Sequence, residues 1–148
     1  MTRLITAAAL VCALAVPAFA DDVVTYTTDE SFEDVAFGLE SAILDQGLVI
    51  DSKSHVGDML ERTKADVGSD KTVFLNADVY NFCSATLSRK VMEEDPMNLQ
   101  FCPYGIFVMV SPDTPDETTI GYRIMPDGAM KEVEALLDTI AKAAIGLD

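Results

Sequence analysis

The sequence predicts an α+β protein: one sheet with helices packed on it, in a single domain. Three observations carry this. Short β-prone runs, two of them alternating polar and apolar residues, recur along the chain. Segments with apolar residues at helical spacing lie between them. No repeat, low-complexity tract or long linker divides the 148 residues.

The elements follow in order. Val23 to Thr27 can form a short strand. Thr27 and Glu30 have capping-box spacing, and Phe32, Val35, Leu39, Ala42 and Ile43 then recur at helical spacing until Gly47. Leu48-Val49-Ile50 reads as a second strand. Ser54 can cap a second helix, with Val56, Met59, Leu60 and Val67 on one face and Gly68 at its end. Thr72 to Tyr80 alternates, with Val73, Leu75, Ala77 and Val79 on one side. Asn81 can cap a helix running to about Asp95, where Pro96 turns the preceding residue away from helix. Tyr104 to Val110 reads as a central strand, Ser111 to Glu117 as a rigid acidic loop, and Thr118 to Met125 as a strand pairing back in hairpin fashion. Met130, Val133, Leu136, Leu137, Ile140, Ala141 and Ala144 mark a final amphipathic helix ended by Gly146.

Ahead of these elements, Thr2-Arg3 is a short basic start and Leu4 to Val16 an almost unbroken apolar run. Pro17 and the small-x-small triplet Ala18-Phe19-Ala20 follow. This order predicts a secretory signal over residues 1–20, cut before Asp21-Asp22, and a mature domain over 21–148. The apolar run falls short of the roughly 20 residues that a membrane span needs. Cys12 follows Ala9-Leu10-Val11 and lacks the small residue that a lipidation site wants before its cysteine. The expected location is the periplasm or the exterior, with no integral membrane segment after cleavage.

Losing Arg3 with the leader leaves nine bases against 25 acids, a net charge of −16. Such a surface repels phosphate backbones and anionic lipid head groups, so nucleic acid and membrane surfaces are not expected partners. Specific catalytic signatures are missing. The sequence has no Gly-x-Gly-x-x-Gly, no phosphate-binding Gly-x-x-x-x-Gly-Lys, no Gly-x-Ser-x-Gly and no Cys-x-x-Cys. One histidine, His55, cannot build a zinc site that needs two. The acidic runs Glu93-Glu94-Asp95 and Asp113 to Glu117 follow no calcium-loop spacing. No cofactor, metal or catalytic residue is assigned.

Cys83 and Cys102 are the two cysteines of the mature chain, bound for a compartment that permits oxidation. A helix from 83 to 94 would rise about 18 Å, and residues 95–102 can extend over about 26 Å. The two sulfurs can therefore meet, and a bond between them would contribute about 3 kcal/mol. A structural disulfide is the first expectation, with free thiols and a redox or metal role as alternatives. A soft copper(I) site recruiting Met92, Met97 and Met109 is the sharper form of the last, although methionines in such elements are more often core filling. His55, just after the expected cap, is a candidate ligand or base. Tyr80, Phe82, Phe101, Tyr104 and Tyr122 cluster around the cysteine-bearing segments. Of these, Tyr80, Phe82, Tyr104 and Tyr122 are candidates, with His55, to line a ligand groove, beside the reading of ordinary core packing.

The runs Ser31-Phe32-Glu33-Asp34-Val35, Ser54-His55-Val56-Gly57-Asp58-Met59-Leu60, Phe82-Cys83-Ser84-Ala85, Asp95-Pro96 and Phe101-Cys102-Pro103-Tyr104-Gly105-Ile106-Phe107-Val108 resemble domain-of-unknown-function family 302. The resemblance covers nearly the whole mature chain. It implies a single curved, mainly antiparallel sheet with helices packed on one face, a homodimer as a frequent assembly, and no settled activity. Cys83 matches its family position, whereas Cys102 precedes Pro103 where many relatives place the second cysteine just after the proline. The expected function is a non-enzymatic binding or accessory domain for a small molecule or a protein. The alternative is thiol-redox or copper handling through Cys83 and Cys102.

Overall fold

A computed structural model describes residues 22–147. The expected leader, residues 1–20, lies outside the described residues. Five strands form one fully antiparallel sheet in the order β1-β5-β4-β3-β2. The strands are β1 (Val23–Thr28), β2 (Val49–His55), β3 (Asn76–Cys83), β4 (Tyr104–Val110) and β5 (Thr118–Arg123). The helices are α1 (Phe32–Asp45), α2 (Val56–Thr63), α3 (Ala85–Glu94) and α4 (Met130–Ala144), with a 3-10 helix over Pro96–Phe101.

Helices α1 and α4 make the layer over one face of the sheet. Val35, Leu39 and Ile43 of α1 and Val133, Leu137 and Ile140 of α4 are fully buried, against Tyr80, Phe82, Ile106, Val108 and Ile120 from the strands. Helical spacing on one side and period-two spacing on the other put these side chains into a single core. The two helices come close at Gly38, where a Cβ would collide with the Ala144 carbonyl oxygen. An added methyl there would force the helices apart.

Several boundaries differ from the sequence reading, and pairing explains them. α1 is capped by Ser31, not by Thr27: the Ser31 Oγ accepts from the Asp34 N–H at 3.1 Å and donates to the Asp34 carboxylate at 2.7 Å. Thr27 is held in β1 opposite Thr119. β2 runs on through Ser54, which pairs with Val79, so α2 begins only at Val56, and Val67 is left 77% exposed. Val73 and Leu75 alternate as a strand should, yet they lie past the last partners. The Leu75 N–H to Val110 carbonyl bond, 2.9 Å, closes that end, and β3 starts at Asn76. At its other end β3 continues through Asn81 because β2 and β4 both still flank it. The cap of α3 therefore falls on Ser84, whose Oγ accepts from the Leu87 N–H at 3.3 Å.

Candidate functional site

Alternate residues of the strands point away from the helices. Register sorts them into rows across the open face. One row holds Val23, Arg123, Gly105, Asn81 and Ser52, with Arg123 opposite Gly105 one step past the last β4–β5 pair. The next holds Thr25, Gly121, Phe107, Val79 and Ser54. Gly121 lets the Phe107 ring lie across β5, since a Cβ there would sit 2.6 Å from its Cζ atom. Gly105 leaves a gap between Arg123 and Asn81. The segment Gln100-Phe101-Cys102-Pro103 rises at one end of these rows, with a cis bond between Cys102 and Pro103. Together they enclose a cleft of about 550 Å³, also bordered by Val23, Val79, Phe107, Met125 and Asp22. Its size falls within the range of small-molecule sites, about 300–1,000 Å³.

The cysteines meet at the end of this face. Cys83 closes β3 on the open side, and Cys102 lines the cleft. Both are free thiols with sulfurs 2.8 Å apart, so the expected approach is present and the expected bond is not. The route differs from the sequence reading as well: Cys83 ends a strand, and α3 followed by the 3-10 helix carries the chain back. Burial, then the neighbouring Cys102 sulfur, then Asp51 push the Cys83 thiol up to about 12. Each of these disfavours the thiolate.

The family model for the domain of unknown function DUF302 matches residues 24–145. The chain belongs to this family. A crystal structure of an uncharacterized conserved DUF302 protein from Bacillus stearothermophilus matches with a TM-score of 0.60 at 17% identity, covering 86% of this chain and 95% of that one. At that identity the likeness shows the shared fold. No curated protein matches the chain.

The other sequence candidates of this DUF302 domain lie elsewhere. Tyr80, Phe82, Tyr104 and Tyr122 are between 0% and 2% exposed, on the helix-covered face. They line no groove, because the two-residue period turns each of them into the core. Tyr104 pairs its hydroxyl with Ser88 Oγ at 3.0 Å, and Tyr122 donates to Asp138 of α4 at 2.7 Å. His55 belongs to a polar cluster on that covered face, near edge strand β2. Its Nδ1 lies 2.8 Å from the buried Asp78 carboxylate, which also pairs with Lys53 at 3.3 Å. Burial works against the Lys53 charge, yet Tyr80, Asp78 and Glu40 outweigh it and raise the Lys53 pKa. Lys53 reaches Glu40 of α1 at 3.3 Å, so the cluster ties α1, β2 and β3 together.

Met109 cannot join the cysteines as a ligand. It sits opposite Ala77, six residues from Cys83 along β3, and about 20 Å separates such positions. Met92 packs against the core, and Met97 is 67% exposed. Among the described residues, no three of the His, Cys, Asp and Glu side chains come together as a metal site, and no helix is long and apolar enough to cross a membrane.

Sequence reasoning missed the residues that build the cleft, above all Asn81, Gly105, Phe107, Gly121 and Arg123. The available signal was a pair of glycines inside strand patterns, which marks a bulge or a close approach.

Proposed function

We propose that the chain is an exported, non-enzymatic binding domain whose ligand seat is the cleft on the open face of the sheet. One observation carries this reading: the open face encloses about 550 Å³ lined by Val79, Phe101, Phe107 and Met125, with Arg123 and Asn81 as orienting polar groups. Apolar walls with a few convergent polar groups are what small-molecule sites use. The leader-like start supports export to the periplasm or beyond, and in that compartment Cys83 and Cys102 form a disulfide that fixes the cleft's end wall. Contact between the sulfurs supports the bond, and the raised Cys83 pKa supports a staple over a reactive thiolate.

Native mass spectrometry of protein isolated from the export compartment tests this. The expected result is cleavage after Ala20, loss of two protons relative to the dithiol, and a retained small molecule that Arg123→Gln releases. Reducing the bond should cost about 3 kcal/mol in denaturant melts. An intact precursor with both thiols reduced would overturn the export and disulfide reading.

A second reading, thiol-redox or copper handling, rests on Cys102 lining the cleft while touching Cys83. Thiol titration with and without reductant, followed by copper(I), separates the two. An inert disulfide that takes up no stoichiometric copper removes this alternative. Size measurement in solution tests the homodimer that the family resemblance implies.

A further inference from the structure

The geometry points to a small aromatic carboxylate as the ligand, its anion on Arg123 and its ring over Gly105. This rests on the cleft being the binding site and adds the chemistry of what it takes.

Charge comes first. The sequence carries 25 acids, yet the one cation at the open-face positions of the strands is Arg123, and the one strand carboxylate on that side, Asp51, lies beside Cys83 at the β2 bulge, outside the residues that line the cleft. Asp22 is the one carboxylate among the cleft's lining residues. It lies on the β1 side of Arg123, where its carbonyl accepts from the Ile124 N–H at 2.9 Å. Gly105 lies on the β4 side. A ligand anion above Gly105 therefore has the guanidinium between itself and Asp22. The guanidinium fork suits a planar carboxylate through two parallel hydrogen bonds.

Shape comes second. The missing side chain at Gly105 makes a flat patch of floor. A Cβ there would lie 3.5 Å from Asn81 Oδ1 and 3.7 Å from Val79 Cγ1, both ordinary contacts. The space above it is thus walled by Val79 and Asn81 on one side and Arg123 on the other, with the Phe107 ring in the adjacent row laid over Gly121. A flat apolar body fits a flat floor beside an aromatic ring, where offset stacking and edge contacts are favourable. Asn81 donates its amide N–H to Ser52 Oγ at 3.3 Å. Its oxygen is thereby turned toward the gap as an acceptor for a ring hydroxyl.

The test is a titration of the purified protein with four probes, following backbone amide shifts: benzoate, 4-hydroxybenzoate, benzamide and cyclohexanecarboxylate. Benzoate should bind about tenfold more tightly than neutral benzamide, and 4-hydroxybenzoate more tightly than benzoate. Cyclohexanecarboxylate should bind more weakly than benzoate. Arg123→Gln should erase the preference for benzoate over benzamide. Gly105→Val, which fills the floor with a β-favouring side chain, should abolish binding with the melting temperature held. Equal affinity for benzoate and benzamide in the unmodified protein overturns the carboxylate assignment and leaves the cleft as a binding site. Shifts near Gly105 and Arg123 from none of the four probes at millimolar concentration overturn both. Undiminished benzoate binding to Gly105→Val places the site elsewhere and also overturns the inference.

Discussion

The two faces of the sheet are written in the same strands, one residue apart. On the covered face, β3, β4 and β5 present Tyr80, Phe82, Tyr104, Ile106, Val108, Ile120 and Tyr122, none more than 2% exposed. On the open face the intervening positions are Ala77, Val79, Asn81, Cys83, Gly105, Phe107, Met109, Thr119, Gly121 and Arg123. Large apolar bodies fill one side, while the other mixes Val79, Phe107 and Met109 with glycines, short polar groups and the Arg123 cation. Strand geometry permits this division because successive side chains point oppositely. The covered face carries stability, and the proposed ligand seat lies on the open face. Substitutions at neighbouring positions should therefore give opposite results.

The sharpest break in that contrast is at Ile106, which is fully buried beneath the helices. Ile106→Ala should lower the unfolding free energy by about 2–5 kcal/mol, through lost transfer energy and the cavity left behind. Denaturant melts measure it, and a loss below about 1 kcal/mol would mean that the covered face is not a close-packed core.

Gly121 sharpens the contrast from the open side. A Cβ there would meet the Phe107 ring and, at 2.6 Å, the Val24 carbonyl oxygen, which is backbone and cannot swing away. Gly121→Ala should cost about 1–3 kcal/mol. A crystal structure of the variant should show the Phe107 ring displaced from β5.

Much of the covered face could be read from sequence, and little of the open face. β4 and α4 have the boundaries that a continuous apolar, β-prone run and helical spacing predict, Tyr104–Val110 and Met130–Ala144, because the first is a central strand flanked on both sides and the second buries one regular stripe. Where a boundary depends on what lies beside it, periodicity alone misleads. Val73 and Leu75 alternate like a strand, yet they precede the ladder, which begins at Asn76 after the single Leu75 N–H bond to Val110. Ser54 looks like a helix cap but is claimed by Val79. The cleft is harder still, since its parts come from four strands and one turn. Arg123 acquires meaning only when register sets it across Gly105 from Asn81. The aromatic residues drew attention by type, yet strand parity assigned Tyr80, Phe82, Tyr104 and Tyr122 to the core, and of the five Phe101 alone borders the cleft.

The covered face is also sensitive to acid at one place. Asp138 of α4 accepts from the hydroxyls of Tyr26 and Tyr122 and pairs with Lys142 at 2.8 Å. Burial opposes its ionisation, but Lys142, Tyr26 and Tyr122 outweigh burial and hold its carboxyl below the usual range. A depressed folded pKa means the stabilisation is complete above the unfolded value, near 4, and fades as pH falls through the folded value. Asp138→Asn should cost about 1 kcal/mol at neutral pH. The difference between variant and unmodified protein should shrink steadily from about pH 5 downward. A gap that stays constant to pH 2 would mean that the carboxylate's charge contributes nothing to holding α4 on the sheet.

The smallest effect is expected at Gly105, next in the chain to Ile106. Its added Cβ would make only ordinary contacts with Asn81 and Val79, and glycine inside a strand is less stable than alanine by about 0.5–1 kcal/mol. Gly105→Ala should therefore leave the unfolding free energy unchanged or raise it by up to about 1 kcal/mol. The same methyl intrudes on the floor of the cleft, so a gain in stability should come with weaker binding of benzoate. Opposite signs in those two measurements are what a glycine kept for a ligand predicts. A glycine kept for folding predicts the reverse: alanine would destabilise the domain and binding would fall only with it.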